Sequence, residues 1–86
     1  MPEIDVYTQD WCPYCARAMT LLQGKGAVFR EINAPHGSQE RAESVRRSGG
    51  STSEQQIFIG GTHIGGCDDL MALDRAGKLD PLLKAA

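Results

Sequence analysis

Two cysteines separated by a proline and a tyrosine, Cys12-Pro13-Tyr14-Cys15, are the residues of this chain best suited to chemistry. They follow "EIDVYT", whose alternation predicts a strand over Glu3–Thr8 with Ile4, Val6 and Thr8 on one side. They precede "ARAMTLLQGKG", whose apolar spacing predicts a helix stopped by Gly24 and Gly26. Pro13 suits the first helical position, where its missing N–H costs nothing, and this puts Cys12 at the N-cap. Free backbone N–H groups and the positive end of the helix dipole favour a thiolate there. Cys12 is therefore expected to be an exposed, low-pKa nucleophile. Cys15, on the same side of the first turn, is expected to be the resolving thiol that closes a disulfide with it. Tyr14 is expected to wall a substrate groove beside the sulfur, while Trp11 suits a groove or a small core equally well. A structural zinc site built from Cys12, Cys15, Cys67 and His63 is the sharper competitor, but "HIGGC" makes a poor second ligand pair.

The remaining elements follow from pattern. Val28, Phe29 and Ile32 mark a second strand, closed by "NAPHGS". Ser38 can cap "QERAESVRRSG", a charged helix whose narrow apolar face is Ala42 and Val45. "QIFIGG" and "THIGG" read as two strands of a hairpin joined by "GGT". "CDDLMALDRAGKLDPLLKA" supplies a helix to about Ala76, a break at Gly77 and a short terminal helix. The order β-α-β-α-β-β-α predicts an α/β domain, residues 1–86. Its four-stranded mixed sheet would be flanked by helices, with a parallel β-α-β unit extended by an antiparallel hairpin.

Composition narrows the function. Nine Lys and Arg against eleven Asp and Glu give a formal charge of −2, which argues against a nucleic-acid binder. No apolar run approaches the roughly 20 residues of a membrane span, and "MPEIDVYTQD" lacks the basic start of a signal peptide. The expectation is a cytoplasmic chain in which cysteines serve catalysis or metal binding rather than a disulfide framework.

"VYT…WCPYC", "QIFIGGTHIGGCDDL" and "ALDRAGKLDPLL" together resemble the glutaredoxins, and most closely the small bacterial dithiol type with its thioredoxin fold. The resemblance covers nearly the whole chain. It implies a glutathione-dependent thiol–disulfide oxidoreductase that reduces protein–glutathione mixed disulfides and small disulfides. Glutathione would be the reducing co-substrate, with no tightly bound cofactor. The expected partners are glutathionylated or disulfide-bonded proteins, with no nucleic acid or membrane, and the protein is expected to be a monomer. By the same resemblance, Cys12 is the nucleophile and Cys15 the resolving cysteine. Gly66, Cys67 and Asp68 match the segment holding the γ-glutamyl end of glutathione. The Cys67 and Asp68 amides open a helix and can bind a carboxylate, and the Asp68 side chain can accept from the ammonium group. Cys67 is expected to matter through its backbone, His63 to be surface or packed, and Asp69 to be a first-turn acid.

Two positions depart from the family pattern. Gln9 stands where a Lys or Arg often contacts the glycyl carboxylate, and Arg46 or Arg47 would have to supply the charge. Ser53, Glu54 and Gln55 stand where the family typically carries Thr-Val-Pro with a cis proline. A cis bond before a non-proline residue costs about 2.5–4 kcal/mol, so a trans bond between Glu54 and Gln55 is expected. In the family this loop aligns substrate backbone, and its rebuilding here by Glu54 and Gln55 is expected to weaken glutathione binding. Two alternatives use the same fold. One is metal or iron–sulfur cluster ligation through Cys12, and the other is assembly through a swapped hairpin.

Overall fold

The computed structural model describes residues 2–50 and 55–84. Four strands form one mixed sheet in the order β2-β1-β3-β4: β1 (Ile4–Thr8), β2 (Arg30–Asn33), β3 (Gln56–Ile59) and β4 (Thr62–Gly65). Four helices complete the chain: α1 (Pro13–Gly24), α2 (Gln39–Arg47), α3 (Cys67–Arg75) and α4 (Leu79–Lys84). β1 runs parallel to β2 and antiparallel to β3, and β3 runs antiparallel to β4. The expected order is present, with the terminal helix as a separate element after Gly77.

β1 is central, and all five of its residues are buried rather than one alternating face. A strand covered on both sides must satisfy two environments. Ile4 and Val6 join Ile57, Ile59, Ala18, Leu22, Leu70, Leu79 and Leu83 in the main core, on the side of α1, α3 and α4. On the other face Tyr7 and Phe58 pack edge to face, with ring centroids 5.7 Å apart, together with Ala34. That second face is closed by polar contacts as much as by apolar ones.

Two sequence expectations are corrected. Val28 is 80% exposed and lies before β2, because parallel pairing begins only at Asp5↔Arg30. Ala42 is exposed and Val45 half-buried, while the buried residues of α2 are Arg41 and Ser44. These two are three residues apart and share a face. They are buried because α2 covers a sheet face carrying Asp5 and Tyr7, which wants polar partners. Ser38 does cap α2, its hydroxyl accepting from the Arg41 N–H at 3.1 Å. The β3–β4 hairpin turns through Gly60 and Gly61, both at positive φ (59° and 84°), as a tight two-residue turn between Ile59 and Thr62 requires.

Candidate functional site

The C-terminal end of β1 and the N-terminal end of β3 lie at the same end of the sheet, because Tyr7 pairs with Gln56. β4 returns there as well, Gly65 pairing with Ile57. The loop before α1, the start of β3 and the start of α3 are therefore gathered along one edge.

At the first of these, Cys12 is the N-cap of α1 and Pro13 opens the helix. The Cys12 sulfur accepts a hydrogen bond from the Cys15 N–H at 3.2 Å. Cys12 and Cys15 are joined as a disulfide, their Cα atoms 5.3 Å apart. Cys12 is half-buried rather than exposed, while Cys15 is buried on the inner side of the turn. An attacking sulfur must be reached by substrate and a resolving one only by its neighbour, so the asymmetry fits the two expected roles.

Trp11 is 98% exposed, which removes the reading of it as core. Its φ of 62° places a bulky residue in the left-handed region directly before Cys12, a sparsely populated conformation of the kind found near functional sites. Tyr14 is about half exposed, with the Arg17 guanidinium 5.6 Å from its ring centroid.

Gln9 follows β1 and is half-buried. Its side-chain oxygen accepts from Arg41 Nη2. Arg41 is itself buried, its Nε donating to the Ala34 carbonyl at 3.0 Å and its backbone fixed by the Ser38 cap. Thus the cation beside Gln9 is Arg41, not Arg46 or Arg47. Arg47 points elsewhere, donating to Asp5 Oδ2 at 3.0 Å and to the Tyr7 hydroxyl at 2.9 Å with its guanidinium 4.1 Å from the Phe58 centroid. Sequence reasoning missed Arg41. The available signal was its place three residues after the N-cap, on the face shared with Ser44.

At α3, Gly66 is the N-cap and no N-cap side chain covers the first turn. The Asp69 carboxylate accepts from the Gly66 N–H at 3.0 Å, half of a capping box whose other half glycine cannot supply. Gly65, at φ 114°, has no room for a Cβ because the Asp69 carboxyl group fills that space. Cys67 is 2% exposed, and burial first, then the neighbouring Asp68 charge, push its thiol pKa upward. Asp68 is exposed. Gln55, Gly66, Cys67 and Asp68 border a cavity of about 250 Å³. The Glu54 site assignment and the 54–55 peptide bond lie outside the described residues. His63 is exposed and bonds Gln56 Oε1 through its Nε2 at 2.6 Å, its ring against Phe58. Among the described residues no group of three or more His, Cys, Asp or Glu is placed to hold a metal ion.

A redox disulfide at the start of the first helix of a four-stranded mixed sheet defines a protein of the thioredoxin fold. The glutaredoxin family model matches residues 4–64. The chain is 58% identical over 85 residues to a glutaredoxin of Pseudomonas aeruginosa, covering 99% of this chain and all of that one. It is 51% identical over 84 residues to glutaredoxin 3 of Escherichia coli K12, covering 98% and 100%. A crystal structure of a buckwheat glutaredoxin–glutathione complex superposes with a TM-score of 0.83 at 34% identity, covering 95% of this chain and 76% of that one. The chain belongs to the glutaredoxin family, whose members are glutathione-dependent thiol oxidoreductases.

Proposed function

We propose that this chain reduces protein–glutathione mixed disulfides and small disulfides through Cys12, with glutathione as co-substrate. The Cys12 thiolate attacks the glutathionyl sulfur, the new S–S bond forms, and the substrate thiolate leaves and takes a proton. A second glutathione thiolate then attacks the glutathionyl sulfur on Cys12, forming glutathione disulfide and regenerating the Cys12 thiolate. With a disulfide substrate, Cys12 forms a mixed disulfide with one substrate sulfur as the other leaves as a thiol, and Cys15 then attacks the Cys12 sulfur, releasing the substrate as a dithiol and leaving the Cys12–Cys15 disulfide. The observation that carries this reading is the N-cap geometry, a half-buried Cys12 whose sulfur accepts the Cys15 N–H while Cys15 is buried.

Glutathione would lie along the shared edge. The Cys67 and Asp68 amides at the start of α3 suit its γ-glutamyl carboxylate, and the Asp68 side chain suits the ammonium. Gln9 with Arg41 suits the glycyl carboxylate at the other end, the guanidinium supplying the charge that Gln9 lacks. Tyr14 would wall the middle. We take residues 1–86 to act as one domain and one copy, in a reducing compartment such as the cytosol where glutathione is kept reduced.

The trapping experiment uses Cys15→Ser with glutathione disulfide, read by intact mass and peptide mapping. One glutathione on Cys12 is the expected result. No adduct, or an adduct on Cys67, would refute the assignment of the nucleophile.

A further inference from the structure

We propose that Gln55 is a specificity-determining residue whose side-chain oxygen occupies the carboxylate subsite at the start of α3, so that glutathione must displace it to bind. The proposal rests on the reading of the Cys67 and Asp68 amides as that subsite. The Cys67 N–H donates to Gln55 Oε1 at 3.0 Å, across twelve residues of chain. Neither local capping group serves this amide: Gly66 has no side chain, and Asp69 turns back onto the Gly66 N–H. Gln55 packs against Gly66, where a Cβ would sit 3.0 Å from Gln55 Cγ and 3.2 Å from Cδ. A Cβ at 66 would press the Gln55 side chain back by a few tenths of an ångström.

A carboxamide oxygen and a carboxylate oxygen are both sp² acceptors for one N–H, so Gln55 copies the contact a ligand carboxylate would make. They differ in charge. The ligand's bond is charge-assisted, roughly twice as strong as the neutral one, and the helix dipole favours the anion further. A carboxylate can therefore displace Gln55, whereas a neutral ligand gains little by doing so. The proline that the family pattern leads one to expect at this position has no group that could make the bond. A net hydrogen bond of ordinary strength keeps the closed form about five times more populated than the open one. Apparent affinity falls by the corresponding fraction.

The test titrates reduced protein with S-methylglutathione, which cannot exchange disulfides, and with S-methylcysteinylglycine, which lacks the γ-glutamyl group. Backbone-amide NMR follows both, with the Cys67 signal as reporter. Gln55→Ala is expected to tighten S-methylglutathione by about five-fold and leave the truncated probe unchanged. Gln55→Glu places a carboxylate on the same amide and is expected to weaken S-methylglutathione below wild type. Unchanged or weaker binding in Gln55→Ala, an equal gain for the truncated probe, or unweakened binding in Gln55→Glu overturns the proposal. If the Cys67 signal of every variant ignores S-methylglutathione, the subsite reading itself has failed, a result separable from the affinities.

Discussion

Cys12, Cys15 and Cys67 sit in three different environments: a half-buried N-cap, the buried side of the first turn of α1, and the buried start of α3. Cys67 is buried and its thiol is pushed toward the neutral form, so it is expected to be inert. With Cys12 and Cys15 oxidised, a thiol reagent at pH 8 should titrate nothing in native protein and one thiol in denaturant; rapid native labelling would contradict this. Arg41 is the cation beside Gln9, and the proposed glycyl subsite depends on it. Arg41→Ala is expected to raise the KM for glutathione by about ten-fold or more, as loss of a charge-assisted hydrogen bond implies. Arg41→Lys keeps a charge but loses the fork that spans Ala34 and Gln9, and should fall between. Steady-state kinetics in varied glutathione checks both, and an unchanged KM in Arg41→Ala would remove Arg41 from the site.

At the scale of the element, α2 is held to the sheet by charge and hydrogen bonding more than by apolar area. Asp5 in β1 accepts from Arg30 of β2 at 3.0 and 3.1 Å and from Arg47 of α2 at 3.0 Å, and Tyr7 donates to Glu43 of α2 at 2.5 Å. Arg30 is largely exposed and contributes little, so Asp5→Asn is expected to cost about 2 kcal/mol, chiefly by stranding Arg47. Ser38→Ala removes the α2 cap and should cost about 1 kcal/mol. Urea denaturation measures both. This helix also marks the limit of what the residues alone disclosed. The CPYC turn, the hairpin and the glycine stops were legible because local chemistry decides them. The buried face of α2 was not, since Arg41 and Ser44 are buried by what the sheet presents, and a search for apolar residues selects Ala42 and Val45 instead. Val28 misled for a related reason, as strand propensity does not say where pairing begins.

For the whole molecule, the same Asp5 cluster sets an acid limit. Burial opposes ionisation of Asp5, but the hydrogen bonds and charges of Arg30 and Arg47 outweigh it and hold its carboxyl below the usual carboxylate range. A lowered folded pKa gives stability that is fully present above the unfolded value near pH 4 and lost as pH falls through the folded value. The stability gap between wild type and Asp5→Asn should therefore be full at pH 7 and shrink below pH 4; a gap unchanged at low pH would contradict the assignment. At this scale the fold was legible from the order of elements, and the cysteine turn and the start of α3 from CPYC and GGCDD. The Arg41–Gln9 and Gln55–Cys67 contacts were not legible, because they depend on long-range placement. The most direct measurement of the central claim is turnover of a protein–glutathione mixed disulfide in a glutathione-coupled assay, wild type against Cys12→Ser. The account predicts turnover by the wild type and none above background by Cys12→Ser; equal rates from the two proteins would contradict it.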